Sequence, residues 1–163
     1  MFKSLQKNTN QSGFTLIEIL VVIGIIAVLA AIVIIAINPA RQFAQARDAQ
    51  RSSDLNAIIN AVGQKIADNK GTFAVGCPAI PSGTTDADAK GIDNAAGGAG
   101  VNFSCLAPTY ISALPKDPGN GGGSPADPAT GYSIYQDGNG RIHVLATTQE
   151  SNIPRTTAIT IVR

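Results

Sequence analysis

Apolar residues run without a break of note from Phe14 to Ile37, 24 positions in which Glu18 is the single ionisable side chain. A helix over that run, at about 1.5 Å per residue, is about 36 Å long. About 20 residues suffice for a hydrocarbon core of about 30 Å, so the segment is predicted to span a membrane with some tilt. It exceeds the roughly 7–15 residues of a signal-peptide core and no A-x-A site follows, which predicts retention in the mature chain. After Asn38-Pro39 the pattern becomes amphipathic, with Leu55, Ile58, Ile59, Val62 and Ile66 at helical spacing. Pro39 should bend the helix and let it continue to a C-cap at Asn69-Lys70-Gly71. One helix from Phe14 to about Asn69 would be about 84 Å long. Arg47, Asp48, Arg51 and Asp54 form its polar portion, with Arg47 and Arg51 four apart, and read as a solvated surface.

From Gly71 to Gly131 periodicity fails, and Gly, Pro, Ala, Asp and Asn dominate, which predicts a long loop. Alternation returns at Tyr132–Tyr135, then Asp137-Gly138-Asn139-Gly140, then Arg141–Thr147: a β-hairpin. Residues 157–162, "TAITIV", predict a third strand. Three strands cannot stand alone, but they can pack on the helix face at residues 55–66. The expected class is therefore α+β, a long N-terminal helix against a small antiparallel sheet.

Composition sharpens this picture. Of 163 residues 44% are hydrophobic, and most of that weight lies in the 14–37 run. What remains for a globular part is small, with three Tyr and no Trp, and such a unit often needs a staple. Cys77 and Cys105 supply one if the segment is exported; a bridge would close about 29 residues and stabilise by about 3 kcal/mol in the chain-entropy model. A net charge of +1 implies no general affinity for nucleic acid. The lone His143 sits in an alternating strand, as a structural histidine does. No G-x-S-x-G, H-E-x-x-H, Walker A or C-x-x-C pattern occurs, so no enzyme is expected.

Glu18 is costly inside a membrane, where an acid carries a penalty of about 2.5–3.5 kcal/mol at the centre. At about four residues from the edge it can snorkel; the alternative is a partner from outside the span, because no basic residue lies between Phe14 and Asn38. A new amino terminus made by cutting before Phe14 would serve.

"SGFTLIEILVVIGIIAVLAAI" resembles the processing site and first helix of type IV pilins and type II secretion pseudopilins: a short leader with Lys3 and Lys7 ending in Gly13, then Phe14, Thr15-Leu16-Ile17, Glu18 and a long apolar helix. The resemblance implies a leader at 1–13, a transmembrane and assembly helix at 14–37, its amphipathic continuation at 38–70 and a loop-rich head with C-terminal strands at 71–163. It implies cleavage between Gly13 and Phe14 by a prepilin peptidase, N-methylation of Phe14, and Glu18 neutralising the Phe14 amine of a neighbouring subunit. The implied partners are other copies of the chain in a helical filament, that peptidase, an inner-membrane assembly platform and the membrane, with no nucleic acid. The implied location is a single-pass inner-membrane precursor that becomes an extracytoplasmic filament, a pilus or a secretion pseudopilus.

"LPKDP" before the hairpin is similar to the late region of major pseudopilins, where a loop often binds calcium. Asp117 and Asp127 are the acids available, but the spacing is not that of an EF-hand, and Arg141 stands where an acid would be needed. No cofactor is therefore expected, with calcium the one weighed against it. The cysteines also depart from the usual pilin arrangement of a pair bracketing a C-terminal loop. A competing reading is a single-span anchored binding protein whose head recognises a ligand and never polymerises.

Overall fold

The computed structural model describes residues 13–119, 127–148, 150 and 158–163. The chain divides into two units, residues 1–39 and 40–163.

In the first unit, helix α1 spans Leu16–Ala36. Its 21 residues make a rod of about 32 Å, the length a membrane span needs. Its large side chains are half to more than four-fifths exposed, so the described residues of this unit form no core of their own. The chain stays helical through Gly24.

The expected continuous helix is not what forms. Ile37 leaves the helical region, at φ −97° and ψ 103°, and a second helix, α2, begins at Pro39 and runs to Asp68. A proline disfavours helical backbone at the residue before it, here Asn38, yet suits the first turn of a new helix. The proline therefore ends one helix and starts another. α2 stops where the sequence placed its cap: Lys70 and Gly71 take φ of +54° and +91°, and the Gly71 amide donates to the Ile66 carbonyl.

The second unit is built on the apolar stripe of α2. Leu55, Ile58 and Val62 are fully buried against Ile92, Phe103, Leu106, Tyr132, Ile134 and Val144. Each such side chain contributes about 1.5–3 kcal/mol by leaving water. The sheet has five strands rather than three: β1 (Lys90–Asp93), β2 (Val101–Asn102), β3 (Ala129–Gln136), β4 (Ile142–Ala146) and β5 (Ile159–Val162). Their spatial order is β2-β1-β3-β4-β5. The hairpin β3–β4 pairs Tyr132 with Ala146 through Gln136 with Ile142, and β5 completes it antiparallel to β4. Thr157, the first residue of the expected third strand, lies outside the described residues.

Two strands lie in the stretch read as loop, and β1 and β2 run parallel, so the sheet is mixed rather than antiparallel. Their connection turns tightly around Asp93, a nearly fully buried carboxylate that accepts the Gly100 amide at 2.7 Å. A Cβ at Gly98 or at Gly100 would collide with that carboxylate. The glycine-rich "NAAGGAG" is therefore a close wrap, and wraps of this kind carry no period. Phe73 and Phe103 pack with ring centroids 4.9 Å apart. Beside them Cys77 and Cys105 are joined in the expected disulfide, tying the segment after α2 to a 3₁₀ turn at Ser104–Leu106.

Replacing Ile58 by Ala should destabilise the 40–163 unit by about 2–5 kcal/mol, since it opens a cavity where helix and sheet meet. Urea unfolding of the full chain in detergent, followed by tyrosine fluorescence, reads this as a lower midpoint with an unchanged slope.

Candidate functional site

At the start of α1, Gly13, Phe14 and Thr15 are non-helical and exposed, Phe14 at 86%. Thr15 is the N-cap in extended geometry, and Glu18 is the third helical residue. Together they form a capping box: the Glu18 amide donates to Thr15 Oγ1 at 3.3 Å, and the Thr15 amide donates to Glu18 Oε2 at 2.7 Å. The Thr15 hydroxyl also donates to Oε2, at 2.7 Å. A negative charge at this end is further favoured by the helix dipole. Glu18 thus has a local role that hydropathy did not reveal, although T-x-x-E before an apolar run is the sequence signature of such a box. Gly13, Phe14 and Glu18 fall within six residues at one exposed helix start; residues 1–12 of the leader lie outside the described residues.

The sequence placed nothing else of functional interest on the helix, and here it was wrong about α2. Arg51 has no exposed surface, and Asp54 is buried as well. A buried guanidinium must find acceptors for its donors. Arg51 Nε and Nη2 grip the two oxygens of Asp117 at 2.8 and 2.9 Å, a bidentate pair. Its Nη1 donates to Asp48 at 2.8 Å and to Glu150 at 2.9 Å. Arg47 closes on the same Glu150 through Nε at 2.7 Å and through Nη2. Asp54 accepts from Tyr132 Oη at 2.6 Å and from Gln50 at 2.7 Å. Burial, with Asp54 next to it, pushes the Tyr132 hydroxyl well above its ordinary value.

The cluster therefore ties α2 to the turn before β3 and to the chain after β4. The turn is fitted to it: the Gly119 amide donates to Asp117 at 2.7 Å, and a Cβ on Gly119 would strike the Arg51 guanidinium. Asp117, weighed above for calcium, spends its carboxylate on Arg51. Asp127 accepts the Ala129 amide at 3.0 Å. Arg141 donates to Asp137 at 2.9 Å across the hairpin turn. The glycine run beyond Gly119 lies outside the described residues. Among the described residues no group of three or more His, Cys, Asp or Glu could hold a metal ion.

Comparison with known proteins bears on the first of these places. Residues 8–37 match the prokaryotic N-terminal methylation motif. That motif is the prepilin signature of type IV pilins and pseudopilins, and its match supports a pilin-like precursor. No curated protein and no solved structure matches this chain. The α+β architecture, an apolar first helix followed by a second helix and a sheet, is pilin-like.

The ion cluster makes the second unit acid-sensitive. The side-chain bonds from Arg47, against the cost of burial, lower Glu150 from near 4.5 to about 2. Its stabilising contribution is then complete above the unfolded value and is lost as pH falls toward about 2. Urea midpoints should decline between about pH 5 and pH 2, and Glu150→Gln should flatten that decline.

Proposed function

We propose that the chain is a structural subunit of a type IV-like filament, cut between Gly13 and Phe14, N-methylated on Phe14 and polymerised through α1. The observation that carries this is the N-terminal methylation motif at residues 8–37, set on a helix whose only ionisable residue is Glu18. The exposed, non-helical backbone at Gly13–Phe14 supports cleavage, because a protease needs an extended, accessible chain. It also supports retention of the helix afterwards, since the cut falls just before the Thr15 cap and leaves the box intact.

Polymerisation follows from what α1 lacks. Among the described residues its apolar surface is exposed, so it needs lipid at one stage and other helices at another. Glu18 sets the register. Alone in low dielectric its charge is penalised, but a neighbour's Phe14 amine turns that cost into an attraction. Both Thr15 donors fall on Oε2, so Oε1 can take the incoming ammonium without loss of the cap. The precursor sits in the inner membrane with its leader inside, and the filament stands outside it. Prepilin peptidase and an inner-membrane platform are the partners this route requires.

Mass spectrometry of the N-terminal peptide from cells that process prepilins tests the reading directly. It should start at Phe14 and carry one added methyl group; an intact Met1 would instead favour a plain membrane anchor whose head binds a ligand. Glu18→Ala should leave cleavage at Gly13 largely intact and abolish filaments in a sheared-fraction assay. Normal filaments from that variant would remove the charge-pairing role.

A further inference from the structure

The sheet has two covered faces. Tyr132, Ile134, Ile142, Val144 and Ala146 point into the α2 core. By alternation Tyr135, His143 and Leu145 point the other way, yet Tyr135 and Leu145 are also buried. Residues Pro81–Ala89 run across that second face as a strap. One end is held by main chain: the Gln136 amide donates to the Pro81 carbonyl at 2.8 Å, and the Gly83 amide to the Gln136 carbonyl at 3.0 Å. Gly83 lies so close that a Cβ there would press on the Tyr135 ring and on Asp88. The other end is held by side chains. Tyr135 Oη donates to Asp86 Oδ1 at 3.1 Å, and Thr160 Oγ1 reaches Asp86 Oδ2 at 3.5 Å.

His143 completes the line. Its ring stacks on Tyr135 with centroids 4.4 Å apart, Nδ1 lies 3.1 Å from Tyr135 Oη, and Nε2 lies 3.3 Å from Asp137 Oδ2. Asp137 is fixed as an acceptor by the Asn139 and Arg141 amides and by Arg141 Nε. The other groups around the pair are Val162, opposite His143 on β5, and Asp88 on the strap, which itself accepts from Thr84 and Thr85.

The chain Asp86–Tyr135–His143–Asp137 has three links and two ends that only accept, so it needs three protons. Tyrosine brings one and a neutral imidazole one; an imidazolium brings two. All three links therefore coexist only when both ring nitrogens are protonated. With a single ring proton, the Asp137 carboxylate holds it on Nε2. Nδ1 then becomes an acceptor that competes with Asp86 for the one Tyr135 hydroxyl proton, and whenever the hydroxyl turns to it Asp86 keeps only the longer contact to Thr160.

We infer that His143 is a proton-operated clamp: doubly protonated it fastens the Asp86 end of the 81–89 strap to the sheet, and singly protonated it slackens that end. Histidine is the side chain suited to such a change between about pH 5 and pH 8. The device would let an extracytoplasmic head tighten one face as its surroundings acidify, independently of the ion cluster around Arg51.

Amide hydrogen exchange on the full chain in detergent, corrected for the intrinsic pH dependence, tests this. Peptides covering 81–89 should lose protection about fivefold from pH 5 to pH 8, the worth of one net hydrogen bond. Peptides covering 55–66 should not change. His143→Gln should remove the step, and Asp86→Asn, a gentler change at the exposed end, should leave the strap slack at both values. Equal strap protection in the wild type at both values, a step that survives in His143→Gln, or a loss shared by 55–66 would each overturn the clamp.

Discussion

The head is organised by the requirement that one buried cation be paired. Arg51 lies on α2 with no contact to water, and its guanidinium fork can be satisfied only if carboxylates arrive from elsewhere in the chain. Two of them, Asp117 and Glu150, are 66 and 99 residues away in sequence. Each fastens its segment to the helix: the proline- and glycine-rich turn before β3 in one case, the chain after β4 in the other. Losing Asp117 would strip the acceptors from Nε and Nη2 while Asp48 and Glu150 stay on Nη1, leaving buried donors unsatisfied at about 1–3 kcal/mol or more. The arrangement is therefore specific even where its net contribution to stability is modest.

α2 thus carries two unlike stripes. Leu55, Ile58, Ile59 and Val62 supply most of the free energy by leaving water, and they accept the sheet without dictating a unique docking. Arg47, Arg51 and Asp54 supply direction, because hydrogen bonds fail when displaced by an ångström or so. Asp54 shows the link between the stripes. It receives the hydroxyl of Tyr132, whose ring belongs to the apolar core, so that β3 is fixed to the helix by oil and by proton at once.

Much of this was legible in the sequence, in proportion to how local its causes are. The apolar helix, the C-cap at Lys70-Gly71 and the β3–β4 hairpin rest on neighbouring residues and were found; the cysteines, 28 apart, were paired because the chain has just two. β1 and β2 were not, because a four-residue and a two-residue strand wrapped around Asp93 leave no alternation to count. The break at Ile37–Asn38 was read as a bend; Pro39 is equally suited to starting a helix, and the pattern alone does not choose. Arg51 was misread for a deeper reason. A charged residue one turn before an apolar stripe looks solvated unless its partners are known, and those partners are remote.

The N-terminal unit presents the opposite case. The chemistry proposed for it falls on six consecutive residues, Gly13 to Glu18, and so rests on a local pattern, while the exposed apolar surface of its helix calls for partners. The large apolar side chains on α1 stay half exposed or more, and the one charge among them is bonded at its own helix end. The head, by contrast, satisfies its apolar stripe, its buried arginine and its disulfide internally. One chain therefore joins a unit whose described core is satisfied internally to a helix whose exposed apolar surface suits lipid or other helices, the division of labour that the proposed passage from membrane to filament would use.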